Sequence, residues 1–248
     1  MNLLIDIGNT NLRWTGYGDG VSWSVQVVRH SGGVPLDLLA AWESHPAPAR
    51  ILVSNVGGEA VAGALCRVTR AYWGLEPEFI RTRAEQDGLR IAYADPARFG
   101  VDRWLTLIAA HAEARQATLI LDAGTAATFD LLLADGRHLG GLILPGIEMM
   151  RTSLLAGTRI PRIESEPVGD PWAADTGTAV AAGSVQALAA LADRLFDRLA
   201  VESGDTPRLL LTGGDAERLR PALDRPCVEI PDLVLRGLAR LTGRSSAC

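Results

Sequence analysis

Apolar residues occur in short runs at the start and in the middle of the chain, and each run ends in a tight turn. Residues 3–10 read Leu-Leu-Ile-Asp-Ile-Gly-Asn-Thr, and residues 119–125 read Leu-Ile-Leu-Asp-Ala-Gly-Thr. Each segment is therefore an apolar strand that ends in Asp-x-Gly and a threonine. A second turn, Asp19-Gly20 or Asp135-Gly136, follows at the same distance in each copy. The pattern predicts two β-meanders, each opening one half of the chain.

Further apolar periodicity predicts strands and helices after each meander. A buried strand precedes a helix in both halves, and two more runs have helical periodicity. The predicted meander strands are Leu12 to Tyr17, Val21 to Val28, Thr128 to Leu133 and His138 to Leu144; the strand and helix pairs are Ile51 to Asn55 with Gly58 to Tyr72, and Leu209 to Gly214 with Asp215 to Leu223; the other helices are Trp104 to Ala114 and Thr176 to Ala200.

Three antiparallel strands followed by alternating helices and strands favour an α/β lobe with a mixed sheet flanked by helices, and the repeat predicts two such lobes. The boundary falls after the helix Trp104 to Ala114, so we expect lobes at 1–114 and 115–248. The stretch from Gly157 to Asp175 is rich in glycine and proline and predicts a long loop, a kind of segment that is commonly functional.

Composition narrows the possible functions. The chain has 248 residues, of which 48% are hydrophobic and 21% charged, and a formal charge of -5. No basic run is present, which disfavours nucleic acid and anionic membranes as partners. We find no signal-peptide core and no stretch approaching about 18 uncharged apolar residues, so a cytoplasmic location is the expectation. Cys66, Cys227 and Cys248 have no C-x-x-C spacing, and His30, His45, His111 and His138 have no zinc-binding spacing.

All 24 residues counted as lysine or arginine are arginine. A P-loop, a protein kinase and a Schiff-base enzyme each require a lysine, so all three classes are excluded. Codon bias is a sufficient explanation for the missing lysine, and the exclusion holds in either case.

The two Asp-x-Gly turns have chemistry suited to phosphate. Glycine allows a sharp bend that exposes backbone N–H groups, and concave sets of such groups attract anions. Thr10 and Thr125 each add a hydroxyl donor. Asp6 and Asp122 would repel phosphate, so their useful role is to hold cations, in the case of magnesium commonly through water. Tight turns alone also favour Asp and Gly, but duplication with threonine in both copies favours a phosphate clamp.

The turns resemble those of the actin-like superfamily, whose duplicated ribonuclease H-like lobes bind ATP, and Thr212-Gly213-Gly214-Asp215 resembles its adenosine-side turn. Additional motifs make the chain similar to the type III pantothenate kinases. These motifs are Asp6 to Asn11, Gly100-Val101-Asp102-Arg103 preceded by Tyr93 and by Asp95 to Phe99, Asp122 to Asp130, and Gly140 to Gly146.

The resemblance implies ATP-dependent phosphorylation of pantothenate to 4'-phosphopantothenate, the first step of coenzyme A biosynthesis. It makes Asp102 the base that accepts the hydroxyl proton. It places pantothenate against Tyr93, Gly100, Val101, Asp102, Arg103 and Thr176, with the Arg103 fork suited to a carboxylate. It places the ATP phosphates against Asp6, Ile7, Gly8, Asn9, Thr10, Asn11, Leu12, Arg13 and Thr125.

The resemblance also implies cations and a second copy of the chain. Asp122 would bind potassium or ammonium, and magnesium would accompany the nucleotide near Asp6. With no lysine available, such cations would neutralise much of the phosphate charge. The family is dimeric, and Thr176 to Ala200 is the candidate interface. Individual residues also have plainer explanations: Asp102 could serve only the helix dipole, and Thr176 could be only a helix cap.

Two alternatives remain open at this point. One is an actin-like kinase of another small metabolite, against which Gly100 to Arg103 and Tyr93 argue. The other is a regulatory or scaffold protein that binds ATP without an acceptor substrate. Release of ADP only when pantothenate is added would separate the kinase from both.

Overall fold

The computed structural model describes residues 1–18, 20–21, 23–43, 45–160 and 172–243. Two compact units are present, and neither is one consecutive half of the chain. Unit 1 comprises Met1–Asp87, Tyr93–Ala109 and the described residues from Asp232 onward, and unit 2 comprises Gly88–Ala92 and Ala110–Pro231. The units therefore depart from the expected 1–114 and 115–248 lobes, chiefly because the last helix packs with unit 1.

Unit 1 is built on a five-stranded mixed sheet in the order β3-β2-β1-β4-β5. The first three strands are antiparallel, whereas β1, β4 and β5 are parallel. Their bounds are β1 (Asn2–Ile7), β2 (Asn11–Tyr17), β3 (Gln26–Arg29), β4 (Ile51–Asn55) and β5 (Glu78–Phe79).

The third strand is shorter than the predicted Val21 to Val28. The Thr15 hydroxyl donates to the Ser24 carbonyl at 3.0 Å, and regular pairing with β2 begins only at Gln26. A side-chain hydrogen bond thus takes the place of the ladder at this end of the strand. Asp19 and Ser22 lie outside the described residues, so the predicted Asp19-Gly20 turn is not described.

Helices cover both faces of this sheet. On one face, Leu3, Ile5 and Ile7 pack against α1 (Leu36–Glu43) and α2 (Glu59–Trp73). On the other face, α7 (Leu233–Leu241) packs against β1, β2 and β4. A Cβ atom on Gly237 of α7 would lie 2.2 Å from the Leu105 carbonyl, so this glycine allows α7 to approach α3 (Val101–Glu113) closely.

Unit 2 repeats the same sheet. Its order is β10-β9-β8-β11-β12, with β8, β9 and β10 antiparallel and β8, β11 and β12 parallel. The bounds are β8 (Thr118–Ala123), β9 (Ala126–Leu132), β10 (His138–Pro145), β11 (Arg208–Thr212) and β12 (Cys227–Glu229); two short strands, β6 (Glu85–Gln86) and β7 (Leu89–Arg90), precede them in the chain. The predicted duplication is present strand by strand.

The helices of unit 2 are α4 (Ile147–Gly157), α5 (Thr176–Ser203) and α6 (Ala216–Leu219). Asp175 caps α5 by accepting from the Thr178 N–H at 2.9 Å, and Gly204 ends it in the left-handed conformation.

By length and hydropathy alone α5 could cross a membrane, which the sequence pattern did not lead us to expect. Half of its most apolar window is buried, and it packs on β8 and β9, so it is the core helix of unit 2. Of the predicted loop from Gly157 to Asp175, residues 161–171 lie outside the described residues.

Candidate active site

The first Asp-x-Gly turn is a four-residue loop. Ile7 pairs with Leu12, so residues 8–11 lie between the last paired residues of β1 and β2, and the Gly8 N–H donates to the Asn11 carbonyl at 3.0 Å. Asn9 at its tip is exposed. The turn therefore lies at the carboxyl end of β1, with its tip exposed.

His30 and Gly57 lie against the rear of this turn. The His30 ring Nε2 lies 2.8 Å from the Gly8 carbonyl oxygen, and the His30 backbone N–H donates to the Thr10 carbonyl at 3.0 Å. A Cβ atom on Gly57 would lie 2.7 Å from the Gly8 oxygen and 3.2 Å from the His30 ring. Only a glycine leaves room for both neighbours at this point.

Asp6 belongs to a polar row across the end of the sheet. It is in register with Arg13 on β2 and with Ser54 on β4, on the face opposite Ile5 and Ile7. Arg13 also contacts Asp232 at 3.4 Å. The Ser54 hydroxyl is fully buried and has no hydrogen-bond partner among the described residues. The row thus combines a carboxylate, a guanidinium and a hydroxyl.

The second turn occupies the same place in unit 2 and is one residue shorter. Ala123 pairs with Ala127, leaving residues 124–126 as the loop. The Gly146 N–H donates to the Thr125 carbonyl at 2.9 Å. Added Cβ atoms would lie 2.0 Å from the Gly124 oxygen at Gly146 and 2.2 Å from the Ala123 oxygen at Gly213. At these two glycines the turn therefore packs against backbone.

The polar row of unit 2 has a different composition. Asp122 is in register with Thr128 on β9 and with Thr212 on β11. Its neighbours in the row are therefore two hydroxyls rather than a guanidinium and a hydroxyl. Oxygen donors around one carboxylate suit a hard cation.

Ion pairs connect the two elements that flank the second turn. Arg218 on α6 donates to Glu148 of α4 at 2.9 Å and to Asp215 at 3.2 Å, and Arg151 donates to Glu148 at 3.0 Å. Burial raises the pKa of Glu148. The hydrogen bond from Arg218 and the positive charges of Arg151 and Arg218 together lower this pKa by more than burial raises it, so the net shift is downward. These ion pairs therefore link α6, which follows the Gly213 turn, to the first turn of α4.

The Gly100-Val101-Asp102-Arg103 segment forms the start of α3. Asp95 caps a short 3₁₀ turn, Pro96–Arg98, by accepting from the Ala97 N–H at 3.0 Å. The helix then begins at Val101, and the Asp102 carboxylate accepts from the Arg103 N–H at 2.7 Å. Asp102 therefore lies in the first helical turn, where the helix dipole favours a negative charge.

Tyr93, Phe99 and Arg103 pack together beside Asp102. The Arg103 guanidinium lies 4.7 Å from the Phe99 ring centre, and it donates to the Tyr93 hydroxyl at 3.4 Å. The Tyr93 and Phe99 ring centres are 4.8 Å apart. Arg103 is only 6% exposed. The structure thus brings together the substrate residues predicted between Tyr93 and Arg103.

A cavity of about 660 Å³ lies in unit 1 beside this segment. Arg81 and Arg98 line it and have no ion-pair partner in the described part of the chain. The other lining residues are Asn55, Val56, Ile80, Thr82, Asp95, Pro96, Ala97, Phe99, Gly100 and Val101. Its volume suits a small metabolite, and the two arginines favour an anionic one.

Thr176 lies in unit 2 and lines a separate cavity of about 670 Å³, together with residues of α4 and α5 such as Met150, Leu154 and Val180. Thr176 is the first residue of α5, but the N-cap is Asp175. The plainer explanation of Thr176 as the capping residue is therefore wrong.

No group of three or more His, Cys, Asp or Glu side chains that could hold a metal ion occurs among the residues the structure describes. Neither Asp6 nor Asp122 therefore belongs to such a group in the described part of the chain. A divalent ion at Asp6 would take most of its ligands from nucleotide phosphates and water, which is the usual environment of magnesium.

Two residues at these sites, His30 and Arg81, are not part of any motif identified from the sequence. His30 follows a short strand, and nothing in the local pattern places it at the first turn. Arg81 is isolated in sequence, whereas Arg98 belongs to the Asp95 to Phe99 segment that precedes the Gly100 motif.

Comparison with known proteins gives a family match over most of the chain. The family model for "Type III pantothenate kinase" matches residues 2–198. A protein of that name from Nitrosococcus oceani is 38% identical over 253 residues, covering 99% of this chain and 95% of the relative. Another, from Aromatoleum aromaticum, is 38% identical over 250 residues and covers 100% of both chains.

Solved structures resemble the fold. A Baf family transcriptional activator from Campylobacter jejuni has a TM-score of 0.59 at 22% identity, covering 97% of each chain. The activator of 2-hydroxyisocaproyl-CoA dehydratase from Clostridium difficile has a TM-score of 0.52 at 13% identity, covering 96% of this chain and 92% of the other. These similarities show the fold alone, and they confirm the predicted actin-like architecture of mixed sheets flanked by helices.

Proposed function

The chain belongs to the type III pantothenate kinase family and phosphorylates pantothenate with ATP in coenzyme A biosynthesis, and from this premise we propose which residues perform each step. The observation that carries the proposal is the Gly100 to Arg103 segment. Gly100 and Val101 line a cavity of metabolite size together with Arg81 and Arg98, and Asp102 follows them in the first turn of α3.

The ATP phosphates bind the first turn. Residues 6–13 (Asp6, Ile7, Gly8, Asn9, Thr10, Asn11, Leu12 and Arg13) supply backbone N–H groups, the Thr10 hydroxyl and the Arg13 guanidinium. Arg13 suits this role because it is in register with Asp6 at the end of the sheet. Magnesium binds with the nucleotide, and Asp6 holds it through water.

Asp122 binds a monovalent cation, potassium or ammonium, and Thr125 donates to the nucleotide phosphate. The hydroxyls of Thr128 and Thr212, in register with Asp122, complete a set of oxygen donors that fits such an ion. Cations held by Asp122 and Asp6 would supply positive charge to neutralise the transferred phosphoryl group. Because the chain has no lysine, no ammonium side chain is available for this purpose.

Asp102 accepts the proton of the pantothenate hydroxyl. A carboxylate is a weak base toward an alcohol, but phosphoryl transfer has a loose transition state, so orientation of the nucleophile is its main contribution. The Asp102 carboxylate is itself oriented by the Arg103 N–H. Tyr93, Gly100, Val101 and Arg103 hold the substrate.

The anionic end of pantothenate is drawn to the arginines of this site. Arg103 offers the planar fork, and its packing on Phe99 and Tyr93 fixes the direction of that fork. Arg81 and Arg98 add positive charge at the cavity surface. In a protein with a net charge of -5, this local cluster favours an anionic substrate over a neutral sugar.

Thr176 is a further pantothenate contact.

The enzyme is a cytoplasmic homodimer, and α5 lies at its interface. Exposed apolar residues on the neighbouring α4, including Met149 and Leu154, support an interface on this side of unit 2. Unit 1 carries the substrate motif, and unit 2 carries the cation turn. Sedimentation equilibrium gives the mass in solution, and a monomer would overturn the dimer.

The test of this assignment is Asp102→Asn. The variant keeps the shape of the side chain, so we expect a folded protein whose pantothenate-dependent ADP release falls by a factor on the order of 10²–10⁴, as is usual when a general base is lost. Glu59→Gln is the matched control, because Glu59 lies in the first turn of α2 and also complements a helix dipole. Equal activity in the two variants would reduce Asp102 to a dipole role.

A further inference from the structure

The imidazole of His30 is held in one protonation pattern. The Gly32 N–H donates to its Nδ1 at 3.3 Å, so Nδ1 acts as the acceptor. Nε2 therefore carries the hydrogen and donates to the Gly8 carbonyl at 2.8 Å. The ring is 9% exposed. Both ring nitrogens thus have hydrogen-bond partners within the protein.

The carbonyl that His30 holds determines the direction of a neighbouring donor. In a trans peptide the C=O of one residue and the N–H of the next point in opposite directions. Fixing the Gly8 oxygen toward His30 therefore points the Asn9 N–H away from His30. No acceptor takes the Asn9 N–H within the described part of the chain, and Asn9 is exposed.

We propose that His30 is a positioning residue for the phosphate turn: its Nε2–H holds the Gly8–Asn9 peptide so that the Asn9 N–H faces the nucleotide. This rests on the proposed role of residues 6–13 as the phosphate cradle. Gly57 lies close to the same Gly8 oxygen, which would be only 2.7 Å from a Cβ atom added to Gly57. The Gly8 N–H is already used by the Asn11 carbonyl, so Asn9 supplies the first outward N–H of the turn.

The equivalent position in unit 2 shows what this side chain adds. His30 and Gly146 each follow the third strand of their meander, and each donates its backbone N–H to the carbonyl of the turn threonine, Thr10 or Thr125. Gly146 has no side chain, and its backbone packs directly on the Gly124 oxygen. Only the longer first turn requires a side chain to reach its carbonyl.

The test compares His30→Leu with His30→Gln. Leucine removes the donor at similar volume, whereas the glutamine amide can still donate to the Gly8 carbonyl. We expect His30→Leu to weaken binding of Mg-AMP-PNP by about tenfold, measured by calorimetry, because the partly buried Gly8 carbonyl loses its partner. The KM for ATP should rise by a similar factor with the KM for pantothenate unchanged, and His30→Gln should stay within about threefold of the parent protein.

Two further variants separate the causes of failure. His45→Leu removes an imidazole that packs on Trp14, away from the turn, and should bind the nucleotide normally. Thr10→Val tests the cradle itself and should weaken Mg-AMP-PNP binding.

Weak binding in Thr10→Val with normal binding in His30→Leu would overturn the role of His30 and leave the cradle in place. Normal binding in both would overturn the cradle and the role of His30 with it. Equal losses in His30→Leu and His30→Gln, or a parallel rise in both KM values with a lower melting temperature, would show a packing role and would also overturn the proposal.

Discussion

The two Asp-x-Gly turns occupy the same place in sheets of the same strand order, yet they differ in three ways. The first loop has one residue more than the second. In the polar row of unit 1, Asp6 is in register with Arg13, whereas in the polar row of unit 2, Asp122 is in register with Thr128. The first turn is held by the His30 side chain, and the second by the backbone of Gly146 and Gly213.

The two units therefore share their strand order but differ in the charge beside each turn. A row with its own guanidinium can attract phosphate directly, and a row of hydroxyls around a carboxylate can attract a cation instead. The division of roles proposed for Asp6 and Asp122 follows from their neighbours rather than from the aspartates themselves.

The largest expected effect concerns how each turn is packed. Gly146→Ala would place a Cβ 2.0 Å from one backbone oxygen and 2.7 Å from another, whereas Gly57→Ala would meet a backbone oxygen at 2.7 Å and flexible side-chain atoms. We expect Gly146→Ala to lower the free energy of unfolding by about 3 kcal/mol and Gly57→Ala by about 1 kcal/mol, as for overpacked sites. Urea unfolding measures both.

Gly63→Ala is the control for these substitutions. Gly63 lies inside α2, and the nearest atom to an added Cβ is the end of Arg67 at 3.6 Å. Alanine loses less backbone entropy than glycine when the chain folds, so Gly63→Ala should raise the free energy of unfolding by about 0.5–1 kcal/mol. If Gly57→Ala destabilised more than Gly146→Ala, the second turn would not be the more tightly packed of the two.

A second prediction tests the charge of the rows. Asp122→Asn should reduce kcat on the order of 10- to 100-fold and abolish activation by potassium, because metal ions contribute several kcal/mol to charge stabilisation. Thr128→Arg should place in unit 2 the cation that Arg13 supplies in unit 1, and activity should then become independent of potassium. Steady-state rates in potassium, ammonium and sodium salts measure the response.

Thr212→Val, which removes one hydroxyl from the row, should only raise the potassium concentration needed for half-activation. Full activity of the parent protein with sodium as the only monovalent ion would contradict the assignment of Asp122.

The smallest effect concerns the ion pairs beside the second turn. The pKa of Glu148 is lowered on folding, so its ion pairs stabilise the protein above the ordinary glutamate pKa of about 4.3, and this stabilisation is lost as pH falls through the lower folded value. Below about pH 5 the stability of Glu148→Gln should therefore fall less steeply with decreasing pH than that of the parent protein. The side chain is 62% exposed, so we expect no more than about 1 kcal/mol, decreasing with salt.

Glu217→Gln is the comparison for this variant, because Glu217 on α6 makes no ion pair among the described residues. Thermal melts between pH 3 and pH 7 would distinguish them, and identical profiles would show that the Glu148 pairs contribute nothing measurable.

The sequence by itself determined the repeat, the strand order within each meander, and the family. Apolar runs ending in Asp-x-Gly are local signals, since alternation and turn residues depend only on neighbours in the chain. The helix from Val101 with Asp102 in its first turn was likewise predictable to within a few residues, because Pro96 and the following apolar periodicity are local. Conversely, the predicted third strand was too long, since Thr15 is not adjacent in sequence to the Ser24 carbonyl that it binds.

Only the tertiary structure decided which residues surround these motifs. His30 reaches Gly8 because β3 pairs with β2, Arg81 and Arg98 line one cavity, and the last helix packs on the first sheet. Each of these arrangements involves residues that are separated along the chain and have no shared sequence pattern. Their positions depend on how whole elements pack, and a local pattern contains no information about that packing.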